Sequence, residues 1–214
     1  MLNAKETMHS IQFLRFVAAA LVVLFHSYGA MNAGHSHAPA MTYLFGFGAV
    51  GVHLCFVISG YVMLHTVMHQ KPGTYSTRKF ITKRAIRIYP TYWLFAIFYI
   101  VVRFLHNQQY ELGFSEYVKS FLLLPGSSPL IIGPGWTLSF ELYFYLCFGI
   151  SMYFGIIRGI AAMTLFFLGS VVVGIFTNSQ NPYLALMTNA LLLEFLSGVW
   201  IAYILSRNNQ RYNR

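Results

Sequence analysis

An arginine and a histidine lie inside the first hydrophobic segment of the chain, SIQFLRFVAAALVVLFHS. Arg15 and His26 are eleven positions apart, so in a helix they share one face and lie about 16 Å apart along the axis. Polar side chains in an apolar segment usually face a bundle interior or a partner. An imidazole accepts a proton near neutral pH, which makes His26 a candidate general base. The alternatives are snorkelling of Arg15 to the interface and a simple hydrogen-bonding role for His26 at its helix end.

Two glutamates occupy later apolar segments. Glu141 follows Trp136 by five positions in GWTLSFELYFYL, about 7 Å from the predicted outer end of its helix and close to the depth of His26. A carboxylate beside an imidazole holds its tautomer and raises its basicity, so we expect Glu141 to orient His26, with a structural hydrogen bond or ion pair as the alternative. Glu194 in LLLEFLSG lies deeper, and we expect it to be protonated, paired with a residue such as Arg15, or functional.

A basic block, RKFITKRAIRIYPTYW, precedes and enters the third apolar segment. Arg84 and Arg87 are three positions apart and share a helix face. Two guanidinium groups placed this way can bind phosphates in bidentate fashion. The alternative is that the block sets topology and contacts anionic lipid.

Several other kinds of site are excluded or weakly supported. The sequence contains no G-x-S-x-G elbow, P-loop or H-E-x-x-H helix. His35 and His37 lie in the first predicted external loop, and two histidines without a third ligand do not define a metal site. The net charge of +9 comes from residues that lie between and after hydrophobic segments, where they set membrane orientation, so nucleic acid is not expected as a partner.

Membrane helices must position these residues. The chain has 214 residues, 57% of them hydrophobic and 9% charged, which is too apolar for a soluble globular domain. Spans of about 20 apolar residues predict an all-α, polytopic bundle that forms one membrane domain over residues 1–214. In the second helix, Gly48, Gly51, Cys55 and Ser59 form a stripe suited to close helix packing. The six predicted helices cover residues 11–29, 43–66, 88–105, 136–157, 159–177 and 183–205.

The distribution of basic residues predicts the orientation. With the N-terminus in the cytoplasm, only Arg103 and Lys119 lie outside, while Arg15 lies within a span. Both termini are therefore predicted to be cytoplasmic. The external segment 106–135 contains apolar stretches too short to span the membrane, and we expect it to fold partly back over the helices. The predicted cytoplasmic basic residues are Lys5, Lys71, Arg78, Lys79, Lys83, Arg84, Arg87, Arg158, Arg207, Arg211 and Arg214.

Taken in order, these segments resemble the acyltransferase 3 family of membrane O-acyltransferases. Arg15 and His26 fit the family's first-helix signature of a basic residue, ten residues and a histidine. GVHLCFVISGY is similar to the block around FFVISGY, KRAIRIYPTYW to RxxRIxPxYW, and WTLSFELYFYL to W-[ST]-L-x-x-E-x-x-F-Y. LLLEFLSGVW is similar to the E-F-x-x-G of the branch that acetylates bacterial exopolysaccharides. This chain differs at His53, where many members carry Asp, and has six predicted helices where members usually have about ten.

The resemblance implies an enzyme of the bacterial inner membrane that transfers an acyl group, usually from acetyl-CoA, to a hydroxyl of an exopolysaccharide, lipopolysaccharide or related carbohydrate. It implies that His26 is the catalytic base or acyl-handling residue and that Glu141 supports it. Arg15, Arg84 and Arg87 would contact the acyl-CoA donor. The predicted helix count implies the N-terminal part of a full-length member. A glycan exporter or proton-coupled transporter and an inactive truncated enzyme are the alternatives.

Overall fold

The computed structural model describes residues 4–31, 47–68, 76–107, 112–126, 130–177 and 179–212. Every regular element in these ranges is helical, which confirms the predicted fold class for the described part of the chain. Short 3-10 helices cover Phe47–Ala49, Gly133–Gly135 and Met152–Phe154. The α-helices are α1 (Ala4–Met31), α2 (Val50–Met68), α3 (Thr77–Leu105), α4 (Phe114–Phe121), α5 (Trp136–Ser151), α6 (Ile156–Thr177), α7 (Pro182–Met187) and α8 (Leu192–Tyr212).

Helix α3 begins eleven residues before its predicted start at residue 88. Ser76 caps it, because its side chain accepts a hydrogen bond from the backbone N–H of Lys79. Lysine and arginine are good helix formers, so the basic block continues the helix instead of preceding it. Arg84 and Arg87 consequently lie about two to three turns inside α3.

Turn residues end or interrupt two other predicted helices. Among the remaining boundaries, α1 begins at Ala4 and not at residue 11, and α6 begins at Ile156 and not at residue 159. The predicted helix 136–157 ends at Ser151, and Gly155 breaks the chain before α6 with a φ of 91°, a left-handed conformation that favours glycine. The predicted helix 183–205 is interrupted after Met187, where Asn189 accepts hydrogen bonds through its side chain from the N–H of Leu191 and through its backbone from that of Leu192. Polar turn residues inside an apolar segment therefore split it into α7 and α8.

Five helical segments are long and apolar enough to cross a membrane, judged by length and hydropathy within the described residues. Helix α5, the fourth of the six predicted spans, has 16 residues, fewer than the roughly 20 that a bilayer requires. Large apolar side chains on α6 point away from the protein, and Phe176 is 83% exposed. Such a surface is suited to lipid. The five segments are His9–Tyr28, Val50–Met68, Thr77–Leu105, Ile156–Thr177 and Pro182–Asn208.

The chain forms two compact units. The first comprises Met1–Thr66 and Glu194–Arg214. Within it, Gly48 and Gly51 bring the start of α2 against α1, since a Cβ at Gly48 would meet the backbone of Leu21 and one at Gly51 the carbonyl of Ala18. This contact confirms the packing role predicted for these two glycines.

On the opposite side of α2, two further glycines form the crossing with α8. A Cβ at Gly60 would meet the carbonyl oxygen of Phe195, and a Cβ at Gly198 would meet that of Val57. Phe56 stacks on Phe195 at this crossing, with ring centroids 4.5 Å apart. The absence of side chains at the two glycines thus lets the two backbones approach closely.

The second unit comprises Val67–Leu193, and the packing of α3 on α5 is at its centre. The hydroxyl of Thr77 donates to the carbonyl of Gly149 at 2.9 Å, and Phe80 contacts the ring of Phe148. Phe144, Phe148 and Phe167 are fully buried where α5 meets α6. These aromatic side chains fix α5 between its two neighbours.

Candidate functional site

A charged and aromatic cluster links α3 to α5 in the second unit. The guanidinium carbon of Arg84 lies 5.4 Å from the ring centroid of Phe80 and 5.8 Å from that of Tyr145. Cation–π contacts of this kind hold a guanidinium group in place while leaving its N–H groups directed along the ring planes. Helix α5 positions Tyr145 because neighbouring aromatic residues bury it almost completely.

The carboxylate of Glu141 belongs to the same cluster. The hydroxyl of Tyr145 donates a hydrogen bond to Glu141 Oε1, one helical turn away. Arg84 lies on the ring of the same tyrosine, and Arg87 follows Arg84 by one helical turn on α3. The structure therefore joins Arg84 and Glu141, two of the predicted site residues, through a tyrosine, with Arg87 one turn away.

The two arginines differ in exposure. Arg84 is half-buried against the rings, whereas Arg87 is exposed. One turn of helix separates them, so Arg87 adds a second positive charge near Arg84. Two guanidinium groups at this spacing can bind an anion with several oxygens, such as a phosphate.

His26 lies near the end of α1 in the first unit, with an exposed side chain. Its Nδ1 lies 2.8 Å from the carbonyl oxygen of Val22. A carbonyl only accepts, so Nδ1 is the protonated nitrogen of the neutral ring, and Nε2 carries the free lone pair. Nε2 is therefore the ring nitrogen that can accept a proton from a hydroxyl. Arg15 lies half-buried on the same helix.

The predicted pairing of His26 with Glu141 links residues of different units and stays a prediction. Within its own unit, Glu141 has a hydrogen-bonding partner in Tyr145. Sequence reasoning missed this tyrosine, although its position one turn after Glu141 is a recognisable signal. Tyr145 is also the last-but-one residue of the block WTLSFELYFYL, which already contained Glu141.

Sequence reasoning also missed a carboxylate–imidazole pair in the first unit. Nδ1 of His53 lies 2.6 Å from Oε1 of Glu194, across the α2–α8 crossing in the first unit. The side chains are 51% and 27% exposed, respectively. Glu194 was expected to be protonated, paired with a residue such as Arg15, or functional, and in the structure it is paired with His53. The other oxygen of this carboxylate, Oε2, is buried and has no hydrogen-bonding partner among the described residues.

The structure gives no support for a metal centre in the part of the chain that it describes, where no three His, Cys, Asp or Glu side chains converge. His35 and His37 lie outside the described residues.

Comparison with known proteins identifies similar sequences. A family model described as an acyltransferase domain matches residues 8–214. The exopolysaccharide production protein ExoZ of Rhizobium meliloti (strain 1021) is 30% identical over an alignment of 187 residues, which covers 84% of this chain and 55% of ExoZ. The chain thus spans about half the length of this curated relative. No solved structure matches the chain.

Proposed function

The chain belongs to the acyltransferase 3 family, and we propose that it transfers an acetyl group from acetyl-CoA to a hydroxyl of a cell-surface or exported carbohydrate. It is a multi-pass membrane protein. Because its relative is named for exopolysaccharide production, we favour an exopolysaccharide as the acceptor over a lipopolysaccharide. The excess of basic residues in alternate loops supports placing both termini in the cytoplasm, with the protein in the bacterial inner membrane.

One observation carries this proposal. Two sequence blocks that define the family resemblance, RAIRIYPTYW and WTLSFELYFY, are adjacent in the fold, and their charged residues meet at one tyrosine. Arg84 lies on the ring of Tyr145, and the hydroxyl of that residue donates to Glu141. A cation and an anion held together in an apolar bundle are costly to maintain, so such clusters usually serve a function.

Arg84 and Arg87 would bind the phosphates of the donor. Arg84 is held by its aromatic contacts, and exposed Arg87 extends the positive surface by one turn. On the proposed topology both lie in the cytoplasmic half of α3. Acetyl-CoA is available on that side of the membrane. Arg15, in the cytoplasmic half of α1, would supply a third positive charge.

His26 would act on the acceptor. Its Nε2 lone pair takes the proton of the carbohydrate hydroxyl as the hydroxyl oxygen attacks the thioester carbonyl carbon. The new C–O bond forms, the C–S bond breaks, and the electron pair leaves with the sulfur as a thiolate. A proton from the imidazolium or from solvent then converts the thiolate to free coenzyme A. Glu141 is proposed to stabilise the imidazolium form of His26.

A transfer assay with a matched histidine control tests this function. Purified protein is incubated with radiolabelled acetyl-CoA and deacetylated exopolysaccharide, and the label in the polysaccharide is counted. His26→Ala should reduce transfer by at least about 100-fold, the usual contribution of a general base. His106→Ala is the control, because Nδ1 of His106 also lies 2.8 Å from a carbonyl of its own helix, that of Val102.

Two results would contradict the proposal. If His26→Ala retains wild-type transfer while the wild type is active, His26 is not the base. If the folded wild-type protein labels no carbohydrate hydroxyl, the acyltransferase function itself is wrong for this chain. Loss of transfer in both histidine variants would mean that the assay reports helix integrity, so thermal unfolding of each variant is measured alongside.

A further inference from the structure

Two cavities adjoin each other along α5 in the second unit. One, of about 330 Å³, contains Arg84 and Tyr145 in its wall. The other, of about 380 Å³, contains Trp136. Four residues line both cavities, so the two meet there; these are Leu124, Pro125, Ser139 and Leu186. Tyr145 and Trp136 are nine residues apart on α5, which makes the combined passage about 13 Å long.

Three hydrogen bonds fix the end of α4 and the turn that follows, where Leu122 and Leu123 line the first cavity. The hydroxyl of Tyr89 donates to the carbonyl of Leu122 at 3.0 Å, and the indole N–H of Trp93 donates to that of Phe121 at 2.9 Å. Buried Tyr92 donates to the carbonyl of Ser120 at 3.0 Å. Aromatic side chains of α3 thus anchor the end of α4 and the turn that follows. The passage is a preformed feature of this unit, as binding cavities usually are.

The charge along the passage is asymmetric. Arg84 lines one end, with exposed Arg87 one turn further along α3. The wall beyond Arg84 is mostly apolar, with polar groups at intervals, including Ser139 where the cavities meet and Asn189 near Trp136. An occupant that matches this pattern has an anionic group at the Arg84 end and a narrow, neutral body with spaced polar groups.

We propose that the passage binds the pantetheine arm of an acyl-CoA, the neutral chain with two amides that joins the phosphates of coenzyme A to the thioester. The phosphates would lie at Arg84 and Arg87, and the thioester would point toward Trp136. This inference rests on the proposed acyl-CoA donor and adds its route through the protein. An anionic phospholipid also carries a phosphate, but its acyl tails have no polar groups. Such tails would leave the polar groups of the passage wall without hydrogen-bonding partners.

Closing the passage at its midpoint tests the assignment. Ser139→Phe puts a ring where the two cavities meet, and affinity is measured by calorimetry in phosphatidylcholine nanodiscs. The probes are coenzyme A and adenosine 3′,5′-diphosphate, which has phosphates and no arm. Ser139→Phe should weaken coenzyme A about tenfold and leave the diphosphate unchanged. Arg84→Lys with Arg87→Lys should weaken both probes, because lysine lacks the bidentate fork.

The controls separate closure of the passage from general damage. Leu165→Phe adds a ring at a site that is 74% exposed on α6, and should change neither affinity. Ser139→Ala keeps the passage open and should weaken coenzyme A less than Ser139→Phe does, with no effect on the diphosphate. Should Ser139→Phe not fold, Leu186→Trp obstructs the same point from α7.

The outcomes distinguish this inference from the proposed function. Unchanged coenzyme A affinity in folded Ser139→Phe, with normal binding by the wild type, overturns the passage alone. If the wild type binds neither probe, the acyl-CoA donor is wrong and the passage assignment is wrong with it. If phosphatidylglycerol in the nanodiscs displaces coenzyme A from the wild type and not from Ser139→Phe, a lipid occupies the passage and the inference is overturned.

Discussion

Glu141 and Glu194 lie in apolar helices of the described part of the chain, and each is held in a different way. In the first unit, Glu194 of α8 meets His53 of α2, a residue 141 positions earlier in the sequence. In the second unit, Glu141 accepts from Tyr145, four positions later on the same helix. The first contact depends on how two helices cross, whereas the second forms within one helix and is then joined by Arg84 from its neighbour. The first should therefore be far more sensitive to changes in helix packing.

Widening the α2–α8 crossing gives the largest expected effect. Gly60→Ala places a Cβ against the carbonyl oxygen of Phe195, so the two helices must separate. We expect a loss of about 3 kcal/mol of stability, at the upper end of the usual cost of overpacking. Thermal unfolding in detergent measures it.

Gly169→Ala is the matched control, because nothing lies within 4 Å of a Cβ built at Gly169 in α6. It should be neutral or stabilising by up to about 1 kcal/mol, since alanine is the better helix former. Equal unfolding temperatures for the two variants would mean that the crossing does not depend on the missing side chain at Gly60.

The contrast between the two regions also explains what the sequence could predict. The apolar segments and the need of Glu194 for a partner follow from composition and from the cost of a charge in lipid. The identity of that partner does not, because it depends on glycines at positions 60 and 198 that meet only when the helices cross. The stripe through Gly48 and Gly51 was recognisable, since its spacing puts both on one helix face.

The candidate site was predictable to a similar extent. Spacing alone put Arg84 and Arg87 on one helix face, and four-residue spacing could also have paired Glu141 with Tyr145. The contact of Arg84 with Tyr145 joins residues 61 positions apart, and no local pattern specifies it. The apolar pattern predicted one continuous last helix, but hydrogen bonds to Asn189 form a turn that divides it.

Removing the imidazole from the first region gives an intermediate effect. His53→Leu leaves the Glu194 carboxylate without its partner, and its Oε2 is already buried without a hydrogen bond in the described part of the chain. We expect a loss of about 2 kcal/mol, less than for a fully buried pair because His53 is half-exposed.

A double-mutant cycle isolates this interaction. Glu194→Leu combined with His53→Leu removes both partners, and the double variant should be more stable than His53→Leu alone. Chemical unfolding of the four proteins gives the coupling energy. If the two single effects add to within about 0.5 kcal/mol, the pair contributes nothing specific and the contrast with the second region fails.

The smallest effect is expected from the second region, where the hydroxyl and the ring of Tyr145 have different partners. Tyr145→Phe removes the hydroxyl that donates to Glu141 and keeps the ring that contacts Arg84. We expect a loss of about 1 kcal/mol, the usual net worth of one hydrogen bond. Tyr145→Leu also removes the ring and should cost more, because the contacts with Arg84 and Phe80 are lost together.

Tyr153→Phe, at a position 77% exposed, controls for loss of a phenol hydroxyl and should be neutral. Thermal unfolding ranks the three variants, and coenzyme A affinity should fall only in Tyr145→Leu, since the ring and not the hydroxyl holds Arg84. If Tyr145→Phe costs as much as Tyr145→Leu in both measurements, the hydrogen bond to Glu141 holds the cluster together, and the arginine is positioned through the carboxylate instead of through the ring.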